Sequence, residues 1–107
     1  MARDRRVLRS SSPAVAVEFY LESERARSGA AALALVEAGV VVAASGRSEA
    51  DLETLAGSLA AGVAPVDRDM YDHELSAAGQ ALRLASLDAR VKSVRDVERA
   101  LERIFVG

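Results

Sequence analysis

The apolar positions of the chain change period several times, and each change marks an element. In residues 13–26, Val17, Tyr20 and Leu21 fall at helical spacing while Glu18, Glu22 and Arg25 lie elsewhere. Ser12 followed by Pro13 predicts the helix start, because a Ser hydroxyl caps free backbone N–H groups and Pro fits the first helical position. Gly29 predicts its end. Phe19 lies off the apolar stripe and is expected to face a second surface. Residues 30–36 (AAALALV) and 40–46 (VVVAASG) are apolar runs without helical period, separated by Glu37-Ala38-Gly39. Three successive valines favour a strand, so the two runs predict an antiparallel hairpin. Neither run alternates apolar with polar residues, and both faces of the hairpin are therefore expected to be covered.

The period returns to helical at Ser48. Leu52, Leu55, Ala56 and Leu59 stand at i, i+3, i+4 and i+7, predicting a helix over residues 48–61. Ser48 and Asp51 form a capping-box pattern with Asp in the place usually held by Glu, and acidic residues favour the first turn of a helix. Ala56, Gly57 and Ala60 leave a small-residue face that another helix could approach closely. Residues 63–74 (VAPVDRDMYDHE) have no period and read as an acidic loop with room for a short edge strand. Residues 75–78 and 81–91 then predict a second hairpin turning at Gly79-Gln80, with Leu82 and Leu84 alternating around Arg83. Ser93 opens a final amphipathic helix over residues 93–105, its stripe formed by Val94, Val97, Leu101 and Ile104. The predicted fold is α+β, an antiparallel sheet of four to five strands between helices in the order α-β-β-α-β-(β)-β-α. Residues 1–11, with four arginines and no period, read as a flexible basic arm ahead of a single domain over 12–107.

Composition narrows the function. The 107 residues suffice for one domain. Half are apolar, but only Phe19, Tyr20, Tyr71 and Phe105 are aromatic, so the core is built from Ala, Val and Leu. A domain of this size buries roughly two-thirds of its unfolded surface, which leads to the expectation that self-association adds stability. The chain has no cysteine, excluding disulfides and thiolate chemistry, and a single histidine, His73. The net charge is −2, without the basic field that nucleic-acid binding draws on. No apolar run reaches the ~20 residues needed to span a bilayer, and no hydrophobic leader pattern follows the arginines, which points to a cytoplasmic protein.

Candidate chemistry is sparse. Ser45-Gly46-Arg47 lies between a strand and a helix, where backbone N–H groups could meet an anion. No glycine-rich phosphate-binding pattern accompanies it, and Ser48 has an ordinary role as a cap. Asp67, Asp69, Asp72 and Glu74 surround His73, but the glycine and closing glutamate of a calcium loop are missing and one histidine cannot build a zinc site. This stretch reads as a solvated acidic loop. No catalytic, cofactor-binding or metal-binding residues are assigned, and the chain is expected not to be an enzyme.

Residues 30–61 (AAALALVEAGVVVAASGRSEADLETLAGSLAA) resemble the roadblock / dynein light chain family. The matching positions are Gly39, Val40–Val42, Ala43, Ser45 and Gly46, followed by Leu52, Leu55, Ala56 and Leu59. The order of elements over about residues 13–106 is similar as well. The family carries three strands after its central helix, against two placed here, and often an Asp shortly before the turn glycine, where this chain has Glu37. The resemblance implies a roadblock-like fold and a non-enzymatic, dimeric regulatory or scaffold module in signalling. Its expected partners are a second copy or a paralogous roadblock protein and, as for bacterial relatives, a Ras-like small GTPase. By the same analogy the helix over 48–61 forms the dimer face, with Leu52, Leu55, Ala56, Gly57, Leu59 and Ala60 as its residues. A small-molecule-sensing domain of related sheet architecture is the alternative.

Overall fold

Ala32, Leu33, Ala34 and Leu35 are each at most 3% exposed, so this strand is buried on both faces. The run that lacks polar alternation alternates in size instead. Side chains of a strand point to opposite faces in turn, and here the leucines enter one core and the alanines another. The sheet is thereby built to take a thick layer on one side and a closely approaching helix on the other.

The computed structural model describes residues 13–106. The expected basic arm 1–11 and the Ser12 cap lie outside the described residues. In chain order the elements are α1 (Pro13–Ser28), β1 (Ala32–Glu37), β2 (Val40–Gly46), α2 (Glu49–Ala61), β3 (Met70–Ala77), β4 (Gln80–Leu87) and α3 (Val94–Val106). The four strands form one antiparallel sheet in the order β2-β1-β4-β3. The fold is α+β, as expected, with four strands among the described residues. Residues 62–69 remain irregular, so the optional strand ahead of the second hairpin does not form.

The larger core lies under α1 and α3. Val17 and Leu21 of α1 and Val97 and Leu101 of α3 pack on Leu33, Leu35, Leu82 and Leu84. On the opposite face Leu55 of α2 meets Ala32, Ala34, Ala85 and Leu87. Gly46 permits this approach, since a Cβ there would stand 2.5 Å from Cγ of Leu52. Helix α2 is capped as its sequence predicts: Ser48 Oγ accepts from the Asp51 backbone N–H at 3.1 Å, and Gly62 ends the helix in the left-handed region at φ 72°. Ser93 caps α3 in the same way, accepting from the Asp96 N–H at 3.2 Å.

Three expectations are corrected. The second turn is Ala78-Gly79, one residue earlier than the pattern indicated, because Ala77 and Gln80 are the last strand pair. Both hairpins thus turn on an Ala-Gly pair with positive φ, the geometry that matches strand twist in a two-residue loop. The stretch Asp72-His73-Glu74 is no loop; it belongs to β3, where pairing with β4 holds polar side chains on an edge strand. Finally, both faces are covered for β1 but not for β2: Val40, Val41 and Val42 are exposed, because the covering helices reach only the far half of this edge strand.

Candidate functional site

Strand register determines which side chains share the uncovered surface beside α2. Val36 pairs with Val41 on one side and Arg83 on the other, and Glu74 pairs with Arg83. Helix α2 packs over the opposite end of this face, on Ala32, Ala34, Ala85 and Leu87. Among the described residues no helix lies above the hairpin end. The result is an open cleft of about 510 Å³ between the side of α2 and bare strands, lined by Ala56, Leu59 and Ala60 from the helix and by Val36, Val41, Met70 and Ala85 from the sheet. One exposed ion pair, Arg83 with Asp72, stands at its rim, with Arg83 Nε 3.2 Å from Asp72 Oδ1.

The six residues expected at a dimer face divide between two roles. Leu55 is fully buried against its own sheet, Leu59 packs on the same core and Leu52 closes over Gly46. Ala56, Gly57 and Ala60 are exposed, and two of these line the cleft. The three leucines therefore anchor α2, and only the small-residue side of the helix faces outward. Val36, Val41, Asp72 and Arg83 share the cleft, a grouping that the sequence did not indicate. Their signal is the period of two along each strand, which becomes informative once the pairing register is known.

The candidate anion site at Ser45–Arg47 is occupied by the chain's own groups. Ser45 Oγ donates to Glu22, and Asp51 places a carboxylate at the start of α2. Asp51 Oδ2 accepts from Ser48 Oγ at 3.0 Å and lies 3.4 Å from Arg47 Nε, while Oδ1 lies 2.8 Å from Arg68 Nη2. Arg68 also reaches Asp88 through two bonds, Nη2 to Oδ2 at 2.6 Å and Nε to Oδ1 at 3.1 Å. The Arg68 guanidinium holds both carboxyls below the ordinary aspartate value, and the pairing raises its own pKa further. Glu22 is likewise held down, first by Arg25 and then by Ser45. A helix N-terminus that already carries a buried carboxylate offers an incoming anion repulsion.

The acidic residues around His73 are separated by strand geometry. Asp72 faces Arg83, whereas His73 points to the other side, with Nε2 3.4 Å from Ser86 Oγ. Partial burial and nearby Arg90 lower the His73 pKa. Among the described residues no three His, Asp or Glu side chains converge in a way that could hold a metal ion. On the α1 side, Tyr20 donates to the buried Glu24 at 3.3 Å, and burial together with that carboxylate pushes the phenol up to about 12. Glu24 is also paired with Arg27, a closed arrangement that serves the packing of α1. A second apolar cleft, about 380 Å³, opens near the hairpin tips and is lined by Val17, Leu35, Val42, Leu82 and Phe105, with Glu37 and Gln80 as polar members. No described helix is long and apolar enough to cross a membrane.

Comparison with family models, with curated proteins and with solved structures gives no match to this chain.

Proposed function

We propose that this chain is a protein-binding module: a dimeric regulatory or scaffold domain, without catalytic activity of its own, that receives a signalling partner in the cleft beside α2. The observation that carries this reading is the half-bare sheet face. Apolar strand surface from Val36, Val41 and Ala85 adjoins a helix flank of small residues, where a partner's helix could lie close to the backbone. Interfaces of this kind combine an apolar centre with a polar rim, and Arg83 and Asp72 supply rim charges. The resemblance of residues 30–61 to the roadblock family makes a Ras-like small GTPase the first candidate.

The test is direct binding of the purified chain to a Ras-like GTPase from the same organism, loaded in turn with GDP and with a non-hydrolysable GTP analogue. Saturable binding is expected, weakened at least about tenfold by Ala60→Arg, which fills the cleft with a charged side chain. Absence of binding in both nucleotide states removes the GTPase as the partner. A second reading, a small-molecule sensor, is favoured by the cleft near Phe105. That reading requires a metabolite-dependent rise in Tm, lost in Val17→Trp.

A further inference from the structure

Helix α1 carries a second stripe besides the one that enters the core. Val15, Glu18, Phe19 and Glu22 stand at i, i+3, i+4 and i+7 and so share one side of the helix. Between this side and Ala44, Ser45 and Gly46 of β2 runs an open groove of about 290 Å³. Its α1 wall is half apolar and half acidic. Phe19 is 70% exposed and Val15 is 38% exposed. Glu18 is exposed and has no ion-pair partner among the described residues, whereas Glu22 already meets Arg25 and Ser45. The α3 side carries the opposite sign. There Glu98 and Glu102 turn to the β3 edge, where Glu98 Oε2 accepts from the Ser76 N–H at 2.8 Å and Glu102 Oε2 from the Ala78 N–H at 2.7 Å. Arg95, Arg99 and Arg103 are exposed on the same helix, and the pocket between α1 and α3 sets Arg27, Arg99 and Arg103 against the single carboxylate of Asp96.

We propose that residues 5–9 of this same chain (Arg-Arg-Val-Leu-Arg) lie in the groove between α1 and β2, with Val7 and Leu8 over Val15 and Phe19 and the arginines beside Glu18 and Glu22. The composition of the segment is complementary to the groove. Val7 and Leu8 are the only large apolar residues within 2–12, and Arg5, Arg6 and Arg9 flank them on both sides. Covering Phe19 with aliphatic side chains removes apolar surface from water, and the flanking arginines meet carboxylates across it. The reach also fits. The segment joins α1 at Pro13, and the five residues from Leu8 to Pro13 span up to about 17 Å when extended. Phe19 lies six residues into α1, about 9 Å along its axis, and Glu22 about 14 Å along it. A segment running back beside α1 therefore lays its apolar pair over the apolar half of the groove. Arg5 and Arg6, farther from the junction, then arrive at Glu22. Charge selects this groove over its neighbours. The arginines of α3 repel the segment, and the cleft near Phe105 has Glu37 as its one lining carboxylate. The docking goes beyond the function proposed above and does not depend on it, because the α2 cleft lies on the other face of the sheet.

Nuclear magnetic resonance of the labelled full chain tests the docking. Overhauser contacts are expected from the Val7 and Leu8 methyl groups to the Phe19 ring, unchanged on dilution. Leu8→Asp and Arg6→Glu change side chains outside the described fold. Each is expected to lower the docking equilibrium constant at least about tenfold, read from the displacement of the Phe19 and Ala44 signals, with the signals of the α2 cleft unmoved. Residues 5–9 that tumble independently of α1, without these contacts, overturn the proposal. Contacts that run from Leu8 to Phe105 instead overturn it too, as do contacts that arise only between differently labelled copies in a mixed sample. Phe19 and Ala44 signals that stay in place in both variants count against it equally.

Discussion

Arg68 joins three segments that the sequence keeps apart. It sits in the irregular stretch before β3, bonds Asp88 just after β4, and reaches Asp51 in the first turn of α2. Asp51 is 7% exposed, so its charge is compensated inside the fold and not by bulk water. Both aspartates have folded-state pKa values below their unfolded ones. Their stabilising contribution is therefore complete above the unfolded value, about 4, and is lost as pH falls through the lower folded values. Urea unfolding between pH 7 and pH 2 should show a steep acid limb in the wild type. Arg68→Ala should be less stable at pH 7 and lose stability less steeply below about pH 4, with Glu22 supplying part of the slope that remains. An acid limb of unchanged slope would show that this network does not govern acid stability. The pattern Ser48-x-x-Asp51 revealed the cap, but nothing in the local sequence announced Arg68 as its second partner. That contact spans 17 residues and depends on where the loop closes. Ala78 was hidden for a related reason. A left-handed alanine is disfavoured locally, and the strand register imposes it.

At the scale of elements, the helices and the first hairpin were legible because each carries a local rule: a period, a cap or a β-branched run. Strand β3 was only partly so. Its first half, Met70-Tyr71-Asp72-His73-Glu74, is polar enough to read as loop, yet pairing with β4 from Met70 to Ala77 makes it a strand. On an edge strand an outward residue such as Glu74 loses little water, so the acidic composition carries no penalty there. The cleft was hidden for the same reason, since Val36, Val41, Asp72 and Arg83 come together only through register. The alternation of size in β1 was written in the sequence as Ala-Leu-Ala-Leu, and its meaning emerges from the layers. Ala34 is 3% exposed beneath α2, where a larger side chain has no room. Ala34→Leu should destabilise the fold by about 1–3 kcal/mol through overpacking, measured from denaturant midpoints. A neutral or stabilising effect would show that the α2 layer is looser than its contacts indicate.

The whole molecule is lopsided. Among the described residues two helices cover one face of the sheet, one helix covers half of the other, one edge is closed by glutamates and the other is bare. An isolated chain gains nothing from exposing Val40, Val41, Val42 and Phe19, and grouped exposed apolar residues of this kind mark association surfaces. On the proposed reading the half-bare face serves the signalling partner. The most direct measurement is amide chemical-shift mapping of the labelled chain while a Ras-like GTPase is titrated in. The account predicts saturable changes centred on Val36, Val41, Ala56 and Ala60, with α3 unaffected. No change in either nucleotide state, or changes confined to the cleft around Phe105, would contradict it.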